Sequence, residues 1–296
     1  MTTGQRRNPW AGFLLLGPAL LVIVAVAIYP LASSFALSFQ RWRVNRSPSP
    51  TGFVGFDQYV RAFTDSIFLN SVVVTLEYTI LSVAMTIVLG LAVALILQKP
   101  TRMNLLVRTV LIFPYAVSPV LKGFSFRFML NENYGVIQLL LTSLIPPLKG
   151  TVWLADPFWA LFWIAVSEVW GWVPLYALMF IGALGTIPND MFEAAKVDGA
   201  NNFQVFWHIL IPMLMPVLVI ATLLKTIFSL KIFDQVMVMT GGGPGRATQS
   251  INHFIYQVAF QNLDLGYAAA VAWIFVAALG VVAYFYVRSL YRQPGA

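Results

Sequence analysis

The 296-residue chain contains no cysteine and few charged residues. The absence of cysteine excludes a disulfide scaffold, thiol catalysis and thiolate-bound zinc or iron–sulfur clusters. Charged residues make up 10% of the sequence and hydrophobic residues 59%, which leaves too little charge to cover the surface of a soluble protein of this length. The composition therefore indicates a chain whose outer surface faces hydrocarbon over most of its area.

The charges that are present are unbalanced. Eighteen basic residues against 11 acidic ones give a formal net charge of +7 and a pI of about 9.7. In a soluble protein this balance would suggest a nucleic-acid partner, but no basic patch is interleaved with polar residues that read bases. In a chain this apolar, basic residues near helix ends instead bind anionic headgroups, so we predict membrane lipid and no nucleic acid among the partners.

Six apolar runs reach the roughly 20 residues that a membrane-spanning helix needs. The first follows Arg6 and Arg7 and is about twice as long as the apolar core of a signal peptide, which favours an uncleaved anchor. We therefore expect an all-α, polytopic protein with six transmembrane helices, forming one domain over residues 1–296 with both termini on the same side. The predicted spans are Trp10–Phe39, Leu69–Leu97, Leu105–Leu130, Pro157–Ile187, Ile209–Ile232 and Leu265–Leu290.

The distribution of basic residues gives an orientation with one contradiction. Eight basic residues on the side of the termini favour cytoplasmic termini, because cytoplasmic loops are enriched in Lys and Arg. Four arginines nevertheless crowd the first loop on the opposite side. The eight are Arg6, Arg7, Lys99, Arg102, Arg108, Lys196, Arg288 and Arg292, and the four are Arg41, Arg43, Arg46 and Arg61.

The connection between the fourth and fifth spans carries residues that start and stop helices. Asp190 and Glu193 have the spacing of a capping box, which predicts a helix beginning there. Gly199 can adopt a positive φ and end that helix. Asn201 or Asn202 can then cap a second helix. We expect a short bent helical pair at this point.

The exposed side of this pair is expected to carry Met191, Phe192, Ala194 and Ala195. Such a surface suits a helix that inserts into a groove of a partner protein. An amphipathic connector lying on the bilayer would show the same pattern. Composition and spacing alone leave both interpretations open.

Residues 193–212 resemble the EAA loop of ATP-binding-cassette (ABC) importer permeases. Glu193-Ala194-Ala195 is followed after three residues by Gly199, and after nine more by Ile209-Leu210-Ile211-Pro212, with isoleucine at 211 where leucine is usual. Further motifs are similar to the carbohydrate-uptake permeases related to the maltose permease subunit, although the extra periplasmic domain and additional spans of that subunit are absent. These motifs are residues 53–59 (FVGFDQY), 114–119 (PYAVSP), and Phe233-Asp234 leading to 240–244 (TGGGP).

The resemblance implies the type I ABC importer permease fold in the bacterial cytoplasmic (inner) membrane, with residues 188–212 as a cytoplasmic coupling loop. It also implies uptake of a sugar or sugar-like solute from a solute-binding protein. The implied partners are a second permease subunit and two ATP-binding subunits, which would bind ATP and Mg, leaving no cofactor in this chain. The coupling residues implied by the resemblance are Asp190, Glu193, Ala194, Ala195, Asp198, Gly199, Ala200 and Pro212.

The glycine-rich segment 240–245 does not suit phosphate binding. No Lys-Ser/Thr pair follows it, and Pro244 lacks the N–H that a phosphate cradle would use. No Walker motif occurs elsewhere, so we expect neither an ATPase site nor catalytic residues in this chain. We interpret the segment as an extracytoplasmic turn, and the resemblance implies that it meets the binding protein. The residues concerned are Gly241, Gly242, Gly243 and Pro244.

Four charged residues, Glu77, Lys122, Glu168 and Lys225, fall inside predicted spans, all in the outer half of the bilayer. A lone charge there costs roughly 3 kcal/mol on insertion scales, and two acids and two bases at similar depth can neutralise one another. We favour Glu168 with Lys225 and Glu77 with Lys122, lining the translocation cavity. Lysines that snorkel outward and glutamates capped by neighbouring hydroxyl groups would be the structural alternative.

Two other classes of function remain as alternatives. An ion-coupled secondary transporter of small polar solutes would be expected to show an inverted repeat, and none is clear. A membrane-embedded enzyme would need clustered His, Asp or Ser. His208 and His253 are far apart in sequence and predicted on opposite membrane faces, which excludes a metal site built on a histidine pair. A neutral and an anionic solute both stay open.

Overall fold

The computed structural model describes residues 9–291, with side chains described for residues 16–288. Arg6, Arg7 and Arg292, which contribute to the predicted orientation, lie outside the described residues. Two short antiparallel strands, β1 (Gln40–Arg41) and β2 (Gly52–Phe53), pair in the first loop. The α-helices are α1 (Pro9–Ile23), α2 (Tyr29–Ser38), α3 (Asp57–Thr64), α4 (Ser66–Leu97), α5 (Arg102–Leu111), α6 (Phe113–Ala116), α7 (Pro119–Met129), α8 (Val136–Leu144), α9 (Pro157–Leu184), α10 (Asn189–Val197), α11 (Asn202–Val205), α12 (Ile211–Leu230), α13 (Asp234–Met239), α14 (Ile251–Tyr256) and α15 (Leu265–Tyr291).

Within the described residues, five helical segments are long and apolar enough to cross a membrane unbroken. A sixth candidate crossing consists of two helices, Arg102–Ala116 and Pro119–Met129, that meet at 94°. The six-span prediction is confirmed when this bent pair counts as one crossing. The unbroken segments are Leu16–Ser38, Ser66–Leu97, Pro157–Leu184, Asn202–Leu230 and Leu265–Arg288.

The third predicted span, Leu105–Leu130, is not the continuous helix that its apolar run suggests. The chain becomes extended at Val117 and Ser118, with ψ of 132° and 147°. Pro119 is the cause, because its ring clashes with a helical conformation of the preceding residue. Ser118 instead caps α7, where its Oγ accepts a hydrogen bond from the N–H of Leu121. The crossing therefore bends sharply at this point.

The fifth span begins earlier than the predicted Ile209. A π-helical turn, Phe206–Leu210, joins α11 to α12, so the span runs from Asn202 without a break. Pro212 has no N–H to donate to the carbonyl of His208, which leaves a regular α-helix one bond short there. The other described turns of π or 3₁₀ helix are the π-helical turns Val24–Ile28 and Gln257–Gln261 and the 3₁₀ turns Pro146–Leu148 and Trp153–Ala155.

The described chain falls into two compact units. One comprises the residues up to Asp65 together with Ile255–Val276, and the other comprises Ser66–Phe254 together with the residues from Ala277. The prediction of one domain over residues 1–296 stays a prediction.

In the second unit, α4, α9 and α12 pack against one another, and α13 packs against α7 and α9. Two buried apolar clusters lie along α9. The first includes Tyr78 and Ile164, and the second includes Phe180 and Leu214. Glu168 lies between the two clusters in the sequence of α9 and is itself buried. A charged group is thus held within the packed part of this unit.

Candidate functional site

The carboxylate of Glu168 on α9 receives three hydrogen bonds on one oxygen. Its Oε2 accepts from Nζ of Lys225 at 2.7 Å, from the hydroxyl of Tyr78 at 2.7 Å and from Oγ of Ser82 at 2.5 Å. Burial of an ammonium and a carboxylate costs several kcal/mol for each ion, roughly, unless donors surround the anion as they do here. The structure contains the predicted ion pair of Glu168 with Lys225, and Lys225 does not snorkel outward.

The second predicted pair, Glu77 with Lys122, is wrong. Glu77 is exposed on α4, and the ion pairs found among the described residues do not include it. Lys122 instead lies against α9, where its Nζ occupies the space that a Cβ at position 171 would fill. Gly171 thereby admits this ammonium near Glu168. Glu77 precedes the inward-facing Tyr78, and consecutive helical residues point about 100° apart.

A cavity of about 540 Å³ opens beside this charge cluster. Lys122 and Glu168 line it, together with residues 115–119 at the bend of the third span. Lys225 is fully buried and is not among the lining residues. Glu77 is not among them either. Of the four residues predicted to line a translocation cavity, the structure therefore places two on the cavity wall.

Aromatic rings form much of the cavity wall. The ring of Trp172 packs against Tyr115 and Phe228, with centroids 5.5 Å and 4.7 Å apart. Lys225 lies behind it, with Nζ 5.3 Å from the ring centroid. A concave site with aromatic faces and a few polar groups can pack the apolar face of a small polar solute and hydrogen-bond its edges.

The connection after α9 contains the predicted turn at Gly199. Its φ is +78°, which confirms the predicted positive value. The N–H groups of Gly199 and Ala200 donate to the carbonyls of Lys196 at 3.1 Å and Ala195 at 2.9 Å. This pair of bonds is a Schellman motif, which satisfies the last carbonyls of α10. Asp198 is the C-cap residue just before the turn.

The second helix start of this connection is capped by Asn201. Its Oδ1 accepts from the N–H of Gln204 at 2.9 Å, while the side chain of Gln204 accepts from the N–H of Asn201 at 2.9 Å. Of the two predicted caps, the structure thus selects Asn201 and places Asn202 inside the helix. Pro212 lies in the first turn of α12, after the π-helical turn.

The capping box predicted at Asp190 and Glu193 is wrong. Pro188 is the N-cap of α10, and proline has no side-chain oxygen to accept a hydrogen bond. Because the helix already begins at Asn189, Asp190 lies inside its first turn. There its carboxylate interacts favourably with the positive end of the helix dipole.

α10 has one exposed face and one packed face. Met191 and Ala194 are exposed, but Phe192 is half-buried and Ala195 is buried. The prediction that all four are exposed is therefore wrong for the latter two. Phe192 packs against the apolar cluster that includes Phe180. Residues three apart share a helix face, so 191 and 194 point outward while 192 and 195 point inward.

Hydrogen bonds of threonine side chains stabilise the glycine-rich segment. The hydroxyl of Thr248 donates to the carbonyl of Gly243 at 2.6 Å and lies 2.7 Å from that of Thr240. Gly241 is exposed, whereas Gly242 is buried against the ring of His253. Gly243 and Pro244 are half-buried. Of the four residues predicted to meet a binding protein, Gly242 is thus covered by the chain itself.

Residues 86–293 match the family described as "Binding-protein-dependent transport system inner membrane component". This region covers more than half of the chain. The chain belongs to this family. Among the described residues of this permease, no group of three or more His, Cys, Asp and Glu side chains is placed to hold a metal ion.

Relatives of this permease match it over most of their length. The trehalose/maltose transport system permease protein MalF of Thermococcus litoralis is 34% identical over 268 residues, covering 90% of this chain and 88% of the relative. The sulfoquinovosyl glycerol transport system permease protein SmoG of Agrobacterium fabrum is 34% identical over 275 residues, covering 93% and 88%. Both relatives are named as transport-system permease proteins.

A solved structure shows the fold of the permease independently. A crystal structure of a bacterial ABC transporter involved in the import of the acidic polysaccharide alginate superposes with a TM-score of 0.81. The two chains are 19% identical, and the match covers 96% of each. The predicted ABC importer permease fold is therefore confirmed. The family match includes the cavity residues Lys122, Glu168 and Trp172 as well as α10.

Proposed function

We propose that this permease carries a sugar or sugar-like solute across the bacterial inner membrane, with its termini in the cytoplasm and a binding protein delivering the solute. The observation that carries this proposal is the cavity between the bent third span and α9. Trp172, Tyr115 and Phe228 offer aromatic faces on which a sugar ring can pack, and Lys122 offers hydrogen-bond donors. The sugars named in two relatives support the same substrate class.

The energy for transport would come from partner subunits. We infer that two ATP-binding subunits bind ATP and Mg, that α10 contacts one of them, and that a second permease completes the pore. Because Phe192 packs into the cluster of Phe180 and Leu214, a push on α10 is passed to α9 and α12. Those two helices carry Glu168, which lines the cavity, and its buried partner Lys225. ATP binding would thus change the shape of the cavity through packed side chains.

The coupling residues inferred above divide by their position. Glu193 and Ala194 are on the exposed face of α10, beside the exposed Met191, and are available to an ATP-binding subunit. Ala195 is buried and Gly199 shapes the turn, so both act by holding that face in place. Asp190, Asp198, Ala200 and Pro212 complete the segment.

The test is uptake by the reconstituted whole complex, with ATP on the cytosolic side and loaded binding protein on the other. We expect ATP-dependent accumulation that Trp172→Ala reduces by roughly tenfold, since the ring lines the cavity and an aromatic contact contributes about 1 kcal/mol or more. Trp170→Ala is the matched control, because Trp170 lies on the same helix but does not line the cavity. Uptake by this chain alone, driven by a proton gradient and abolished by an uncoupler, would instead establish a secondary transporter.

A further inference from the structure

The four arginines of the first loop, which the orientation rule leaves unexplained, lie around one cavity. In the unit formed by residues up to Asp65 and Ile255–Val276, a cavity of about 530 Å³ is lined by Arg41, Arg43, Arg46 and Arg61. Two acidic residues, Asp57 and Asp264, also line it. The cavity therefore has an excess of two positive charges. Such a site attracts an anion.

A buried carboxylate holds two of these arginines in place. Oδ2 of Asp264 accepts from Nε of Arg43 at 3.1 Å and from an amino group of Arg61 at 2.9 Å. The Arg61 guanidinium also lies over the ring of Tyr267, 3.8 Å from its centroid. Neither Arg41 nor Arg46 forms an ion pair with any described residue. Two fixed and two uncommitted guanidinium groups thus share one cavity.

This cavity adjoins the ends of two candidate membrane spans. The span Leu16–Ser38 ends three residues before Arg41, and the span Leu265–Arg288 begins directly after Asp264. The ends of membrane spans lie at the boundary between hydrocarbon and headgroups. Arg41 and Asp264, the cavity residues nearest these span ends in the sequence, are therefore placed at the headgroup boundary.

α3 presents neighbouring faces to this cavity and to its surroundings. Asp57 and Arg61 line the cavity. Phe56, Val60 and Phe63 follow the spacing of one helix face and are each more than 60% exposed. A short helix with an apolar face beside basic groups lies in the membrane interface, with its apolar side among acyl chains. A ligand of the arginines would therefore have acyl chains next to it.

We propose that this cavity binds the phosphate of an anionic phospholipid. Guanidinium groups form paired hydrogen bonds with phosphate oxygens, and four of them surround this space. The acyl chains of the lipid pack along Phe56, Val60 and Phe63. A soluble anion would use the arginines but not the apolar face. The residues that line this cavity and those that line the transport cavity proposed above do not overlap.

Lipid binding to the purified whole complex tests the proposal. Fluorescent phosphatidylglycerol and phosphatidylcholine are titrated in detergent against the wild type and the double variant Arg41→Gln/Arg46→Gln. Each arginine near an anionic headgroup contributes about a fivefold factor in affinity, so we expect phosphatidylglycerol to bind roughly 25-fold more weakly to the double variant. Lys149→Gln, which removes an exposed charge that does not line the cavity, is the control. Arg43 and Arg61 are left unchanged because they hold Asp264.

The source of the phosphate is tested by two further measurements. Phe63→Ser should weaken phosphatidylglycerol binding and leave the weak binding of inorganic phosphate unchanged. Equal phosphatidylglycerol affinity in the wild type and the double variant would overturn the proposal. Inorganic phosphate binding as tightly as the lipid would overturn it in favour of a soluble-anion site. If the double variant keeps its lipid affinity but binds the solute-binding protein more weakly, the arginines form a protein-docking surface and the lipid proposal is wrong.

Discussion

The ammonium of Lys225 on α12 lies 2.7 Å from the Glu168 carboxylate on α9, and neither side chain is more than 5% exposed. Tyr78 and Ser82 on α4 donate to the same carboxylate oxygen. Three membrane spans are therefore joined at a single atom. Because the cavity wall includes Glu168, a relative movement of these spans changes the electrostatics of the cavity directly.

Removing one partner of this pair should be worse than removing both. Lys225→Met leaves a buried carboxylate without its counter-ion, which costs roughly 3–5 kcal/mol, whereas Glu168→Gln with Lys225→Met leaves no charge. We expect the double variant to be more stable than Lys225→Met by at least about 1 kcal/mol. Thermal unfolding of the purified complex measures the cycle. If the stability changes of Glu168→Gln and Lys225→Met, each measured alone, add up to that of the double variant, the two residues are not a coupled pair.

The same cycle at Glu77 and Lys122 provides the contrast. The two residues form no ion pair in the structure, and Lys122 lies beside Gly171 on α9 instead. We expect Glu77→Gln and Lys122→Met to add within about 0.5 kcal/mol, since side chains without shared partners behave independently. A coupling above about 1 kcal/mol would show that the two charges meet in the assembled complex.

The turn after α10 should tolerate asparagine better than valine. Gly199 has a φ of +78°, and no atom lies within 4 Å of the position of an added Cβ, so strain comes from the backbone and not from a clash. Valine is strongly disfavoured at positive φ, whereas asparagine adopts it more readily. We expect Gly199→Val to abolish stimulation of the ATPase by loaded binding protein while Gly199→Asn retains most of it.

The control for this turn is Gly182→Ala. Gly182 is helical in α9 and also has open space around a Cβ, so alanine there should leave stimulation unchanged. Normal stimulation in Gly199→Val would show that the turn is not needed for coupling to the ATP-binding subunits.

The sequence predicts the spans well because hydrocarbon requires every backbone group to bond within its own helix. It predicts the positive φ at Gly199 because few other residues adopt that conformation. It does not predict the bend at Ser118, although Pro119 is visible in the chain. The run is apolar on both sides of Pro119, and proline is often tolerated inside a membrane helix, so the sequence does not distinguish a bend from a continuous span.

The charge cluster is only half predictable for a geometric reason. Depth along a span follows from the sequence, so acids and bases at similar depth can be identified, but helix rotation cannot. Glu168 and Lys225, which are predicted at similar depth, do form an ion pair. Glu77 is at a similar depth to Lys122 but is exposed and points away from it. Tyr78 and Ser82 supply to Glu168 the hydroxyl groups expected in the structural alternative, so the ion pair and the hydroxyl caps occur together. The prediction does not name these two residues, although polar residues four apart in an apolar span mark a buried face.

The adjacent asparagines before the fifth span should differ in their effect on stability. Asn201 caps α11 through reciprocal bonds with Gln204, whereas Asn202 lies inside the helix and is exposed. We expect Asn201→Ala to destabilise the protein by about 1 kcal/mol and to weaken ATPase stimulation. Asn202→Ala should have little effect or stabilise slightly, because alanine favours helix interiors. Equal effects of the two changes would contradict the capping role.

Acid should destabilise the permease through one of its two histidines. Burial lowers the pKa of His253 below its ordinary value of 6.5. As the pH falls, the unfolded chain therefore takes up a proton on His253 at a higher pH than the folded chain does. The contribution of His253 to the free energy of unfolding is fully present above pH 6.5 and is lost as the pH falls through 6.5, by at most about 1.4 kcal/mol per pH unit. We expect the melting temperature to drop from pH 7.5 to 5.5, and His253→Phe to remove part of that drop. Identical pH profiles of the melting temperature for the wild type and His253→Phe would assign the acid sensitivity to other groups.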